Sequence, residues 1–137
     1  MTQENEEIVH FELHGKIYVG TVMAKSVLSA GNIHQFGNAV LEFIKHHGRV
    51  NLLLNFERVD YLSSAVLTEL LRIKNAMEEN NGRLRLTAVS PTILEIFRIT
   101  NFDKMFILHS DGLEQDLKRF VRAIEVEEEE AAWNSTA

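Results

Sequence analysis

The stretch "NLLLNFERVDYLSSAVLTELL", Asn51 to Leu71, decides how the rest of the chain reads. Leu52, Leu53 and Leu54 form an unbroken apolar run, which suits a short strand buried on both faces rather than one face. A polar loop follows, with Asp60 as a solvated turn residue. Ser63 and Ser64 then stand directly before an apolar pattern of helical period. Val66, Leu70, Ile73 and Met77 make one stripe, widened by Leu67 and Leu71, which predicts a helix from about Ala65 to Glu79. A buried strand, a loop and an amphipathic helix in that order are one step of an alternating α/β chain.

The flanks continue the alternation. Upstream, "IVHFELHGKIYVGTVM" gives two strand-like runs around His14-Gly15, which predicts a hairpin. Ile33, Phe36, Val40, Phe43 and Ile44 fall at helical spacing, with Asn32 to start that helix and Gly48 to end it. Downstream, "RLRLTAV" alternates as a strand does. Ser90-Pro91 is an N-cap followed by a first-turn proline, opening a helix through Ile99. "MFILH" reads as a last short strand. A final helix has Leu113, Leu117, Phe120, Val121 and Ile124 inward. The expected organisation is a frayed terminus over residues 1–7, one domain over 8–125, and an acidic, unpatterned, mobile tail over 126–137. Leu52, Leu54, Leu67, Leu70, Leu84, Leu86 and Phe97 are expected in one core.

Composition narrows the function. The 137 residues suffice for one sizeable core, and 45% of them are apolar. The net charge is −6, and the 14 basic residues are scattered, which argues against nucleic acid as a partner. No cysteine is present, so disulfides and thiolate chemistry are excluded. "MTQENEEIVHF" lacks the basic start and apolar core of a secretory signal, and no apolar run approaches the ~20 residues that span a bilayer. A cytoplasmic protein with no membrane association is expected. The histidines His10, His14, His34, His46, His47 and His109 show no metal-ligand spacing. Neither a P-loop nor a Gly-x-Gly-x-x-Gly motif is present, so no cofactor is expected. A Gly-x-Ser-x-Gly elbow is also absent, and no residue is assigned a catalytic role.

Two serines exceed what a helix start needs. One of them caps the free N–H groups, and Ser63 is the expected cap, its loss costing about 1 kcal/mol. The other, Ser64, lies in the first turn with its hydroxyl free to face solvent. A phosphate there would add about −1.5 to −2 of charge against the positive end of the helix dipole, which the fold tolerates. A partner docking on the same surface would have to desolvate that charge.

The strand ending in "LNF", the "YLSSAVL" turn, "NGRLRL" and "VSPTILEIFRITNFDKMF" together resemble the STAS domains. These are the family of bacterial anti-sigma-factor antagonists and of the cytoplasmic tails of sulphate transporters. The resemblance runs over about residues 8 to 124. It implies a single STAS-like α/β domain with a mixed, mostly parallel sheet and its helices mainly on one side. Antagonists of the family carry Asp-Ser-Ser-Gly at this helix start, and a partner kinase phosphorylates the first serine. Ungapped, that serine falls on Ser64, the aspartate on Ser63, the second serine on Ala65 and the glycine on Val66, with a further glycine on Thr68.

The resemblance therefore implies a protein–protein interaction module in signalling and transcription regulation, not an enzyme. Its phospho-acceptor would be Ser64, with Ser63 second, and its partner-binding residues Asp60, Ser63, Ser64, Ala65 and Thr68. The partner would be an anti-sigma factor or a serine-kinase-like regulator, and the chain a monomer or weak homodimer. A non-phosphorylated scaffold or dimerisation module is the alternative, which the departures at Ser63, Ala65 and Val66 favour. A small enzyme or ligand binder comes last.

Overall fold

The leucine run is the centre of the molecule. In a computed structural model, which describes residues 7–23, 26–28 and 32–135, it forms strand β4 (Asn51–Asn55). Four strands make the main sheet: β1 (Val9–His14), β2 (Ile17–Val22), β4 and β6 (Arg83–Thr87), in the order β1-β2-β4-β6. The β1–β2 hairpin is antiparallel, and the β2–β4 and β4–β6 pairings are parallel. The sheet is thus mixed and mostly parallel, as expected. The predicted frayed terminus lies, apart from Glu7, outside the described residues.

Because β4 is central, its side chains alternate between two cores. Leu52 and Leu54 face a large core shared with α1 (Ile33–His47), α2 (Ser64–Glu79) and α3 (Pro91–Ile99). Leu53 faces a smaller one with Ile17, Val19 and the Phe120 and Ile124 side chains of α4 (Leu113–Ser135). Three helices therefore cover one face and one covers the other. Leu52, Leu54, Leu67, Leu70, Leu86 and Phe97 are all buried in the large core, and half-buried Leu84 packs against it. Asparagines end β4 on both sides. Asn51 Nδ2 donates to the Lys16 carbonyl (3.0 Å) and its Oδ1 accepts from Arg83 (3.1 Å), while Asn55 Nδ2 donates to Thr21 Oγ1 (3.2 Å).

Local chemistry explains the helix bounds. Gly48, at φ 70°, ends α1, and its N–H donates to the Ile44 carbonyl at 2.7 Å. Ser90 Oγ accepts from the Ile93 N–H at 3.2 Å, and Pro91 is the first residue of α3. Helices α1 and α2 touch through Gly37, where a Cβ would overlap the carboxylate of buried Glu69.

Three expectations change. The segment 59–62 is not a loop: it is strand β5 (Val59–Leu62), paired parallel with the short β3 (Ser26–Leu28) in a separate two-stranded sheet. Asp60 is accordingly a strand residue. "MFILH" contributes only a bridge, Leu108 against Leu86, held by hydrogen bonds between Leu86 and both Ile107 and His109. The final helix does not stop near residue 125 but continues through Ser135. Ion pairs of Glu127 with Arg83 (2.6 Å) and of Glu128 with Lys16 (3.0 Å) fasten this continuation to the sheet's lower end.

The start of α4 is fixed by a buried acid. Asp116 is fully buried, hydrogen-bonded by the Thr87 hydroxyl and contacted by Arg119 at 3.3 Å, while Arg119 also pairs with Asp111 at 2.5 Å. Next to it the Arg85 guanidinium lies over the Phe120 ring, 4.9 Å from its centroid, and 3.3 Å from His109 Nε2.

Candidate functional site

Strand β5 delivers the chain to the start of α2. Val59 and Leu62 point into the core, and Asp60 and Tyr61 point out, with Tyr61 48% exposed. Ser63 then holds the N-cap position in extended conformation (φ −83°, ψ 162°), and its carbonyl accepts the first helical hydrogen bond from Val66 (3.0 Å). Ser64 is the first helical residue and is exposed. Ala65 and Thr68 are exposed beside it, while Val66, Leu67 and Leu70 anchor the helix from below. The residues singled out by sequence therefore share one corner of the fold, and both flanking elements are anchored in the core through Val59, Leu62, Val66, Leu67 and Leu70.

Ser63 departs from its expected role. Its hydroxyl makes no cap hydrogen bond, and Ser63 Oγ is buried without a partner among the described residues. The position is right and the chemistry is not: backbone geometry alone forms the cap, and N–H groups of the first turn stay open. No acidic residue lies in that turn either. The nearest helical acid, Glu69, is turned towards Gly37 of α1 and bonded to Arg72 (3.0 Å). The corner around Ser64 thus offers a hydroxyl beside an uncompensated helix N-terminus, a setting that accommodates an anionic group.

Tyr61 belongs to the same surface and was not singled out by sequence. The signal was present, since Val59-Asp60-Tyr61-Leu62 carries β-branched and aromatic residues after the Glu57-Arg58 turn, but four residues make a weak strand pattern. A crevice of about 450 Å³ opens at the neighbouring strand ends, lined by Glu57, Ala88, Ser90 and Ser110 among others, and contains none of the corner residues. Among the described residues no group of three or more His, Cys, Asp or Glu is placed to hold a metal ion. No described helix is long and apolar enough to cross a membrane.

A mixed sheet with this strand order, covered on one face by three helices and with a serine pair at the start of α2, defines a class of small α/β domain. The chain belongs to the STAS-domain family, whose model matches residues 1–118. Solved structures of similar fold include an anti-sigma-factor antagonist (STAS) domain protein from Planctomyces limnophilus, 18% identical, with 82% of this chain and 97% of that one covered at a TM-score of 0.72. The Bacillus cell fate determinant SpoIIAA in its phosphorylated form is 19% identical, covering 81% and 97%, at 0.61. A sulfate transporter family protein from Wolinella succinogenes is 9% identical, covering 90% and 96%, at 0.68. At such identities the likeness is one of fold. No curated protein matches the chain in sequence.

Proposed function

We propose that the chain is a protein–protein interaction module of the anti-sigma-factor-antagonist type, acting in the bacterial cytoplasm by binding rather than catalysis. Its docking surface is the corner formed by Asp60, Tyr61, Ser63, Ser64, Ala65 and Thr68, and its partner an anti-sigma factor or a serine-kinase-like regulator. Ser64 is the switch. The observation that carries this reading is the exposure of Ser64 at the first position of α2, beside exposed Asp60, Tyr61, Ala65 and Thr68. Phosphate on Ser64 would meet open helix N–H groups, so the fold would tolerate it. A docked partner would bury that charge uncompensated and lose affinity.

The test is a titration of wild type, Ser64→Ala and Ser64→Glu against one purified partner kinase, alongside phosphate transfer from ATP. Ser64→Glu is expected to weaken binding by about 2 kcal/mol with its Tm nearly unchanged. Ser64→Ala is expected to bind as wild type and to accept no phosphate. Equal affinity for all three would instead favour an unswitched scaffold. One observation already favours that second reading: Ser63 stands at the family's acidic position, and its hydroxyl is buried and has no partner among the described residues.

A further inference from the structure

Among the described residues, nothing pairs with one side of the backbone of strand β1. The Met23 N–H donates to the Ile8 carbonyl at 2.7 Å, and the hairpin register then opposes His10 to Thr21, Glu12 to Val19 and His14 to Ile17. Hydrogen-bonded and non-bonded pairs alternate in an antiparallel ladder. The backbone groups of His10, Glu12 and His14 therefore serve β2, and those of Val9, Phe11 and Leu13 turn outward. Strand β1 is the end strand of its sheet, and no described residue pairs with its outer side. Edges of this kind are commonly blunted by proline, lysine or a bulge. The six residues "VHFELH" contain neither proline nor lysine, and their register with β2 runs unbroken.

Side-chain charge says what fits there. His10, Glu12 and His14 share the face of β1 opposite Phe11, so the strand displays an alternating basic-acidic-basic row. Its members are exposed, with 45%, 61% and 42% of the respective side chains accessible. Hydrogen bonding to Glu7, then to Glu12, holds the His10 pKa above the usual imidazole value. Reversed and offset by one member, such a row sets opposite charges against each other.

We propose that β1 is a self-association edge, pairing antiparallel across a two-fold axis with β1 of a second copy of this chain, Phe11 opposite Phe11. The outward backbone groups permit only registers that match Val9, Phe11 and Leu13 with one another. The centred register sets Val9 against Leu13 and uses the whole strand. It also places His10 opposite Glu12 of the second copy, and two-fold symmetry makes that contact twice. A slip of two residues in one direction sets Glu12 against Glu12, and in the other His10 against His10. A slip of four sets Glu12 against His14 but pairs only the end of the strand, so the centred register alone joins opposite charges along its whole length. The resulting interface is remote in sequence from the Ser64 corner, so it stands whether or not Ser64 is a switch.

Sedimentation equilibrium of the full chain across a concentration series, with amide hydrogen exchange on the same samples, tests the pairing. Dimer is expected to form with rising concentration. The Val9, Phe11 and Leu13 amides should become protected as it does, while those of His10, Glu12 and His14 are protected throughout. His10→Glu should weaken self-association roughly tenfold or more, because like charges then face each other twice. Adding Glu12→His in the same chain should restore it. Leu13→Pro removes an outward N–H that β2 does not use, and should abolish the dimer while leaving the melting transition cooperative. A monomer at every concentration up to about 1 mM would overturn the proposal. So would association that leaves the Val9, Phe11 and Leu13 amides unprotected, or that His10→Glu leaves unchanged.

Discussion

At Ser63 a preferred residue type occupies a preferred position without performing the usual interaction. Serine at an N-cap ordinarily accepts a hydrogen bond from the N2 or N3 amide, and replacing it by alanine costs about 1 kcal/mol. Here the hydroxyl is buried and, among the described residues, unbonded. Removing a polar group that has no partner relieves a desolvation penalty instead. Ser63→Ala is therefore expected to change stability by less than about 0.5 kcal/mol in either direction, as urea denaturation would measure. A loss of a full ~1 kcal/mol would mean that the hydroxyl caps the helix in solution after all. Sequence supplied the position through the Ser-Ser pair before an apolar period. It could not supply the rotamer, which depends on how β5 approaches the helix.

Among the elements, α2 and α4 carry different kinds of energy. Leu70 is fully buried between α2 and the sheet. Leu70→Ala should cost on the order of 2–5 kcal/mol in chemical denaturation, and a value below ~0.5 would contradict the packing. The attachment of α4 rests partly on a polar contact, since Thr87 is the hydroxyl donor to fully buried Asp116. Thr87→Val conserves shape but withdraws that donor from a carboxylate. A loss of about 1.5–3 kcal/mol is expected, with Thr87→Ser milder than Thr87→Val. Equal costs for the two would assign the effect to packing.

The elements that were legible from sequence are those with strong periodicity or punctuation. The α1 stripe from Ile33 to Ile44, the Ser90-Pro91 start of α3 and the leucine run of β4 each have several agreeing signals. Strand β5 was hidden because its four residues follow a charged turn and its pairing with β3 is wholly non-local. The continuation of α4 through "EEEEAAWNS" was hidden for a different reason. Its apolar period ends at Ile124, and the ties that hold the next turn are Arg83 and Lys16, far away in sequence.

For the molecule as a whole, the junction between β6 and α4 is expected to lose stability in acid. Burial lowers the His109 pKa, and the Arg85 and Arg119 cations lower it further against the opposing pull of Asp116 and Asp111. A depressed folded value means that the neutral ring is favoured by folding. This contribution is fully present above the ordinary imidazole pKa of ~6.5 and is lost as pH falls through the folded value. His10 has the opposite sign: its raised pKa stabilises below ~6.5, and that gain is lost as pH rises through its folded value. His109→Gln should therefore flatten the acid side of the stability profile between about pH 7 and 5, and His10→Gln should steepen it. Melting curves of wild type and the two variants across that range provide the check.

The two asparagines at the ends of β4 have a consequence for alignment. A strand apolar on a single face resists a one-residue slide, because sliding would turn its oily side to water. β4 has little such protection. With Leu52, Leu53 and Leu54 in succession, a slide by one still leaves a leucine facing each core and costs only one of the two large-core leucines, so hydrophobicity alone opposes it weakly. Asn51 and Asn55 add to that opposition. In the native alignment they meet Lys16, Arg83 and Thr21, and a shift of one residue would strand both amides away from these partners. They act as bookends, giving a greasy strand a single address in the sheet.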